Sequence, residues 1–245
     1  MPKLAVLDIG TNSIHMVLAE VQPDYTYKIL DRFKDMTRLG DGVFTSRRLS
    51  DQAMMRGLEV IRNLVTLARN KGYERIEGVA TSAVREARNG GEFLDHVAQQ
   101  TGLTVRVITG AEEARLIFLG VQNSVALPEP PTLVIDIGGG SVEVIVGNRE
   151  TIYQARSLKL GAIRLKDLYL TKTPPSKAML HELEEAVTGQ LKQALGTYKT
   201  KRVEQIIATS GMAGNLAEVI YLQRTGRPLQ QLNLTKISAK EIAAV

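Results

Sequence analysis

The sequence predicts an α/β protein of two similar domains, each a mixed central sheet flanked by helices, with an interdomain cleft. Three observations carry this expectation. A short motif occurs twice, as Asp8-Ile9-Gly10 with Ser13 and as Asp136-Ile137-Gly138 with Ser141. Around each copy, strand-like runs alternate with helix-like ones. The proline-rich stretch Leu127-Pro128-Glu129-Pro130-Pro131 separates the two halves, and proline halts helices and stiffens linkers. At 245 residues there is room for two domains of about 100–150 residues. The break sets domain I at 1–126 and domain II at 127–245.

The elements follow in order. Residues 3–8 read as a buried strand and 13–21 as the next, with Gly10-Thr11-Asn12 as a tight turn between them. Residues 25–33 alternate and complete a meander. A helix spans 50–71: Ser50 caps it, Met54, Leu58, Ile61, Val65 and Ala68 share a face, and Gly72 ends it. A strand over 75–81, a short helix within 91–102 and a strand over 103–108 come next. The helix over 110–123 opens with two acids, Glu112 and Glu113. Beyond the break, strands are expected over 132–136, 141–146, 151–160 and 203–209, and helices over 176–199 and 212–225. Ser238-Ala239-Lys240-Glu241 is a capping-box pattern. It should start a helix just before the chain stops at Val245, so a longer protein is expected.

Composition excludes several chemistries. With no cysteine there is no disulfide, thiolate nucleophile or Cys-bound zinc. The three histidines, at 15, 96 and 181, lack ligand-like spacing, which argues against a His-built zinc site. The apolar run from Leu4 to Leu7 is too short for a signal peptide or membrane span, so a cytoplasmic location and no membrane partner are expected. The net charge of +5 suits a polyanionic partner. No basic run interleaved with aromatics points to nucleic acid.

The repeated motif has a chemistry of its own. Glycines let a turn bring backbone N–H groups against a ligand, and successive N–H groups form an anion nest. Gly10, Thr11, Asn12 and Ser13 are candidate phosphate ligands, as are Gly138, Gly139, Gly140 and Ser141. Asp8 and Asp136, at strand ends, can offer oxygen to Mg²⁺, with Glu143 as a further metal ligand. Arg85, in a loop-like segment after a strand, is a candidate phosphate clamp, because guanidinium matches phosphate in a fork. Arg38, Arg164 and His15 are weaker candidates.

The paired motifs resemble the phosphate loops of the superfamily that contains actin and the sugar kinases. Four further stretches narrow the resemblance. They are Arg38-Leu39-Gly40-Asp41-Gly42-Val43, the run from Ala80-Thr81-Ser82 through Arg85 to Gly90, Thr109-Gly110-Ala111-Glu112-Glu113-Ala114-Arg115, and Leu160-Gly161-Ala162-Ile163-Arg164-Leu165. Together they are similar to the exopolyphosphatase / guanosine pentaphosphate phosphohydrolase family, from Leu4 to about Ala217. The resemblance implies two actin-like (ribonuclease H-like) domains and hydrolysis of a terminal phosphoanhydride. The substrate would be inorganic polyphosphate or guanosine pentaphosphate, with Mg²⁺ as cofactor, and a homodimer is a further implication. The family's catalytic glutamate falls on Glu113, with Glu112 the weaker candidate. Thr11 stands where many members have Ser, and Ser210-Gly211-Met212-Ala213-Gly214 is a poor match to a nucleotide-base loop. A polyphosphate- or nucleotide-sensing module with little turnover is the alternative from another class, and a sugar-kinase-like transferase is disfavoured.

Overall fold

The computed structural model describes residues 2–24, 26–196 and 203–245. The expected strand start at Tyr25 and the end of the long helix at Lys199 lie outside the described residues.

The first half opens with an antiparallel meander, β1 (Lys3–Ile9), β2 (Ile14–Val21) and β3 (Tyr27–Asp35). The short α1 (Val43–Ser46) and the long α2 (Asp51–Asn70) lead to β4 (Arg75–Ala80), which lies parallel to β1. Then come α3 (Ser82–Glu86), α4 (Gly90–Thr101) and β5 (Val105–Val107), giving the sheet order β3-β2-β1-β4-β5. One face of β1, Ala5, Leu7 and Ile9, is buried while its alternate residues are more open, as the two-residue strand period requires. In α2, Ala53, Gly57, Ile61, Val65 and Ala68 recur every three or four residues and are all buried. The Ser50 side chain accepts from the Ala53 N–H, a cap that contributes about 1 kcal/mol.

The second half repeats the plan. It contains α5 (Gly110–Ser124), β6 (Thr132–Ile137), β7 (Val142–Gly147), β8 (Ile152–Leu158), α6 (Ala162–Tyr169), α7 (Lys177–Leu195), β9 (Gln205–Thr209), α8 (Ser210–Thr225) and α9 (Ala239–Ala243). The sheet order is β8-β7-β6-β9, with β6 antiparallel to β7 and parallel to β9. These four strands match β3-β2-β1-β4 in order and direction.

Three differences from the sequence expectations have physical reasons. Helix α5 packs its apolar face on β7 and β8, and Ala114, Phe118 and Val121 share a core with Val134 and Ile145. The packing unit of the second half therefore begins near Gly110, ahead of the proline break. Arg85 lies in the short helix α3 rather than a loop. Helix α6 has no side-chain cap. Its first N–H groups, from Ala162, Ile163 and Arg164, donate instead to the carbonyls of Gly138 and Gly139, a tertiary cap that no local pattern announces. No helix among the described residues is long and apolar enough to cross a membrane.

Candidate active site in the interdomain cleft

A cleft of about 1120 Å³ opens between the two halves. The β1–β2 turn contributes Gly10, Thr11, Asn12 and Ser13, and the β6–β7 turn contributes Gly138, Gly139, Gly140 and Ser141. The two turns have the same internal geometry. Gly10 N–H donates to Ser13 O at 3.1 Å, and Gly138 N–H donates to Ser141 O at 3.0 Å. They also meet. A methyl group on Gly140 would stand 2.6 Å from Thr11 Oγ1 and 2.5 Å from Ser82 Oγ, so only a bare backbone fits between the halves.

Each turn is braced by a stretch that the sequence had singled out. Arg38 N–H donates to Asn12 O at 2.8 Å, and Gly40 N–H donates to Thr11 O at 2.8 Å. The Arg38 side chain is exposed and does not line the cleft. The second turn is braced by the N-terminus of α6, as described above. Arg164 Nε adds a bond of 2.7 Å to Gly140 O.

Four carboxylates face the cleft: Asp8, Glu113, Asp136 and Glu143. Asp8 and Asp136 end equivalent central strands. Glu113 projects from the first turn of α5, which Thr109 caps by accepting from the Glu112 N–H. Glu143 is buried and accepts from Ser157 Oγ at 2.7 Å. Asp136 accepts from Thr209 Oγ1. Poor solvation raises all four. Asp8 opens on the cleft but is ringed by protein, and desolvation, followed by the charges of Glu113 and Asp136, lifts it to about 6. Desolvation and then the charge of Glu113 push Glu143 up to about 7. Glu113 and Asp136 are raised for the same primary reason. Burial also lowers His15, with Lys34 adding to the effect.

These shifts make a stability prediction. Glu143 ionises at about 7 when folded against 4.5 ordinarily, so folding takes up a proton between those values. Stability contributed by this group is therefore lost as pH rises from 4.5 to 7. In metal-free buffer, Glu143→Gln should gain on the parent across that window, by up to about 3 kcal/mol. Denaturant unfolding of both proteins at the two ends of the window checks this, and parallel stabilities would refute it.

The remaining candidates are placed differently. Arg85 does not line the cleft. Its Nη1 donates to Glu113 Oε2 at 2.9 Å and to Ile108 O at 2.8 Å, so it orients the glutamate instead of clamping phosphate. Glu112 points away and pairs with Arg106 at 2.5 Å. Arg164 is buried, with its guanidinium engaged by Glu86 and Ser82 of the first half and stacked 3.9 Å from the Phe44 ring. It ties the two halves together. His15 lines the cleft, with Nε2 2.8 Å from Ser13 Oγ.

Lys34, Lys166 and Asn215 stand in the cleft wall without having been singled out in the sequence, and Thr81 and Ser210, noted there only within longer motifs, join them. A signal existed for some of them. Thr81-Ser82 and Thr209-Ser210 stand at the ends of β4 and β9 at the same offset that relates Asp8 to Asp136, and His15 to Glu143. The register repeats it, with Asp8 opposite His15 and Asp136 opposite Glu143. At that offset Lys34 falls on Ala162, and Lys166 falls on Arg38, whose side chain does not line the cleft.

Among the described residues, no three His, Asp or Glu side chains gather closely enough to ligate one metal directly. A ready-made site of Asp8, Asp136 and Glu143 is thus not what the fold builds. The arrangement does fit Mg²⁺, which keeps several waters and uses one or two carboxylates together with substrate phosphates. The mutual repulsion among these acids also favours a cation.

Fold and cleft together define the class: a two-domain α/β phosphate-handling enzyme of the actin-like ATPase fold. The chain belongs to the Ppx/GppA phosphatase family, whose model matches residues 6–244, and is a phosphoanhydride hydrolase. It is similar to an exopolyphosphatase from Cytophaga hutchinsonii, with TM-score 0.81 and 29% identity over 98% of this chain and 73% of that one. An exopolyphosphatase-like protein gives TM-score 0.83 and 31% identity over 90% of this chain and 69% of the other. The type II variant of the Aquifex aeolicus Ppx/GppA phosphatase gives 0.65 and 27%, over 98% and 74%.

Proposed function

We propose that the protein is an exopolyphosphatase that removes the terminal phosphate of inorganic polyphosphate in the presence of Mg²⁺. The observation that carries this reading is the convergence of two glycine turns, one per half, on a cleft that also holds Glu113. Backbone N–H groups of the turns, with Ser13 and Ser141, receive the terminal phosphate and its neighbour. Lys34 and Lys166 add positive charge along the wall.

Glu113 orients a water in line with the terminal phosphorus and takes its proton. The new oxygen–phosphorus bond forms as the bridging bond breaks, and the shortened chain leaves with the bridging oxygen. Arg85 holds one carboxylate oxygen of Glu113, which fixes the direction in which the other faces. Arg85 also opposes the upward pull of burial on Glu113 through its hydrogen bond and charge. One or two of the carboxylates Asp8, Asp136 and Glu143, with waters between, would hold Mg²⁺, which when bound neutralises charge on the phosphate chain.

One observation favours guanosine pentaphosphate as a second reading. Met36, Leu170 and Met212 line the cleft, and a nucleobase would cover such apolar side chains where a bare phosphate chain would not. Phosphate release measured side by side on long polyphosphate and on guanosine pentaphosphate, with Mg²⁺ and with chelator, tests both. The expected result is metal-dependent release with higher kcat/KM on polyphosphate. Higher kcat/KM on the nucleotide would select the second reading, and no release from either would remove both.

A further inference from the structure

A second cavity, of about 250 Å³, lies behind the second glycine turn. Its walls come from both halves: Arg47 at the end of α1, Glu86 of α3, Lys159 ahead of α6, Arg164 and Tyr169 of α6, and Gln190 of α7. Arg164 stands between this cavity and the cleft. Its side chain lines the cavity, while its Nε bonds to the carbonyl of Gly140, which lines the cleft.

The charge of the cavity is unbalanced. Three cationic side chains share a single carboxylate, that of Glu86, which pairs with Arg164 and lies 3.4 Å from Lys159. Burial alone would raise Glu86, but hydrogen bonding and charge from Arg164, with Lys159 and Ser82, hold it below the usual range. It is therefore a fixed negative group, and one acid cannot satisfy three cations. The Arg47 guanidinium has no carboxylate partner among the described residues. Its backbone is fixed in the left-handed region at φ 59, with its carbonyl accepting from Arg88 N–H at 2.9 Å. Tyr169 and Gln190 offer neutral donors. At about 30 Å³ per water, the space takes a small partly hydrated anion and excludes a nucleotide.

We propose that this cavity binds a small oxyanion, inorganic phosphate being the one this enzyme releases, through Arg47, Lys159 and Arg164. Guanidinium and ammonium groups are the usual partners of phosphate oxygens. A bound phosphate competes with Glu86 for Lys159 and Arg164. Because Arg164 also holds Gly140 O, occupancy of the cavity bears on the second phosphate turn. The cavity is thus a product-sensing site, coupled to the cleft through one arginine. Binding of free phosphate does not depend on which polyphosphate the enzyme prefers, so it is measured without substrate.

The test titrates the full chain with inorganic phosphate, in the parent and in the double variant Arg47→Gln with Lys159→Gln. Both side chains are largely exposed, and thermal melts verify that the fold is kept. Phosphate affinity should fall about tenfold or more on loss of two charge-assisted contacts. Phosphate release at low product should stay within about twofold, since neither residue lines the cleft. In the parent, added phosphate should lower kcat as well as raise KM, and in the variant only the KM effect should remain. Unchanged phosphate affinity overturns the proposal. So does a variant that binds phosphate normally but shows a raised KM on long chains, which would assign the surface to substrate.

Discussion

Replacing Glu113 with Gln is expected to reduce kcat for phosphate release by about 10²–10⁴-fold, the range for loss of a general base. Gln keeps the shape of the side chain and can still accept from Arg85 Nη1, now 2.9 Å from Glu113 Oε2. Geometry is therefore retained while the proton acceptor is lost. Substrate binding should be unchanged or tighter, because the variant removes one negative charge from a cleft that already holds Asp8, Asp136 and Glu143. Stability should not fall, since burial opposes the ionised form of this residue. The comparison is Glu112→Gln. That side chain pairs with Arg106 at a partly exposed site, and its loss should leave kcat near that of the parent. Steady-state release together with binding of a non-hydrolysable phosphate chain separates the two effects. A Glu113→Gln protein that turns over normally would remove the residue from the chemistry.

Arg164→Met should cost about 3 kcal/mol of stability, at the lower end for breaking a buried ion pair. The side chain is 7% exposed and its partner Glu86 is 16% exposed. Removal leaves Glu86 with Lys159, at 3.4 Å, as its remaining cation beside the Ser82 hydroxyl, and leaves Gly140 O without its arginine donor. Met fills much of the volume over Phe44, so the loss reports chiefly on charge and hydrogen bonding. For a chain of this size the melting temperature should drop by about 6–12 °C. Because Arg164 joins α6 to α3, the change should also loosen one half against the other and raise KM for phosphate chains. Thermal melts with and without substrate check both effects. The companion Arg164→Lys keeps the charge but not the fork, and should recover stability only in part. A melting temperature equal to that of the parent in Arg164→Met would deny the arginine its bridging role.

Much of the fold was legible in local pattern. Strand alternation, the face of α2 and the capping box at Ser238 are short-range signals, and the elements they announced are present within a few residues. The motif repeat was legible because two copies of one architecture place the same residues at the same strand ends. The cleft residues Asp8, Gly10, Asp136, Gly138 and Glu113 could all be named from it and from the family resemblance.

Partners were not legible. The sequence by itself determined which turns and acids this protein has, because backbone-driven features depend on neighbours in the chain. Only the tertiary structure decided what its arginines do. Arg85 turns to Glu113, Arg164 crosses to Glu86, and α5 joins the second core ahead of the proline break. A long charged side chain takes whichever counter-charge lies within reach in space, and spacing along the chain carries no record of that choice.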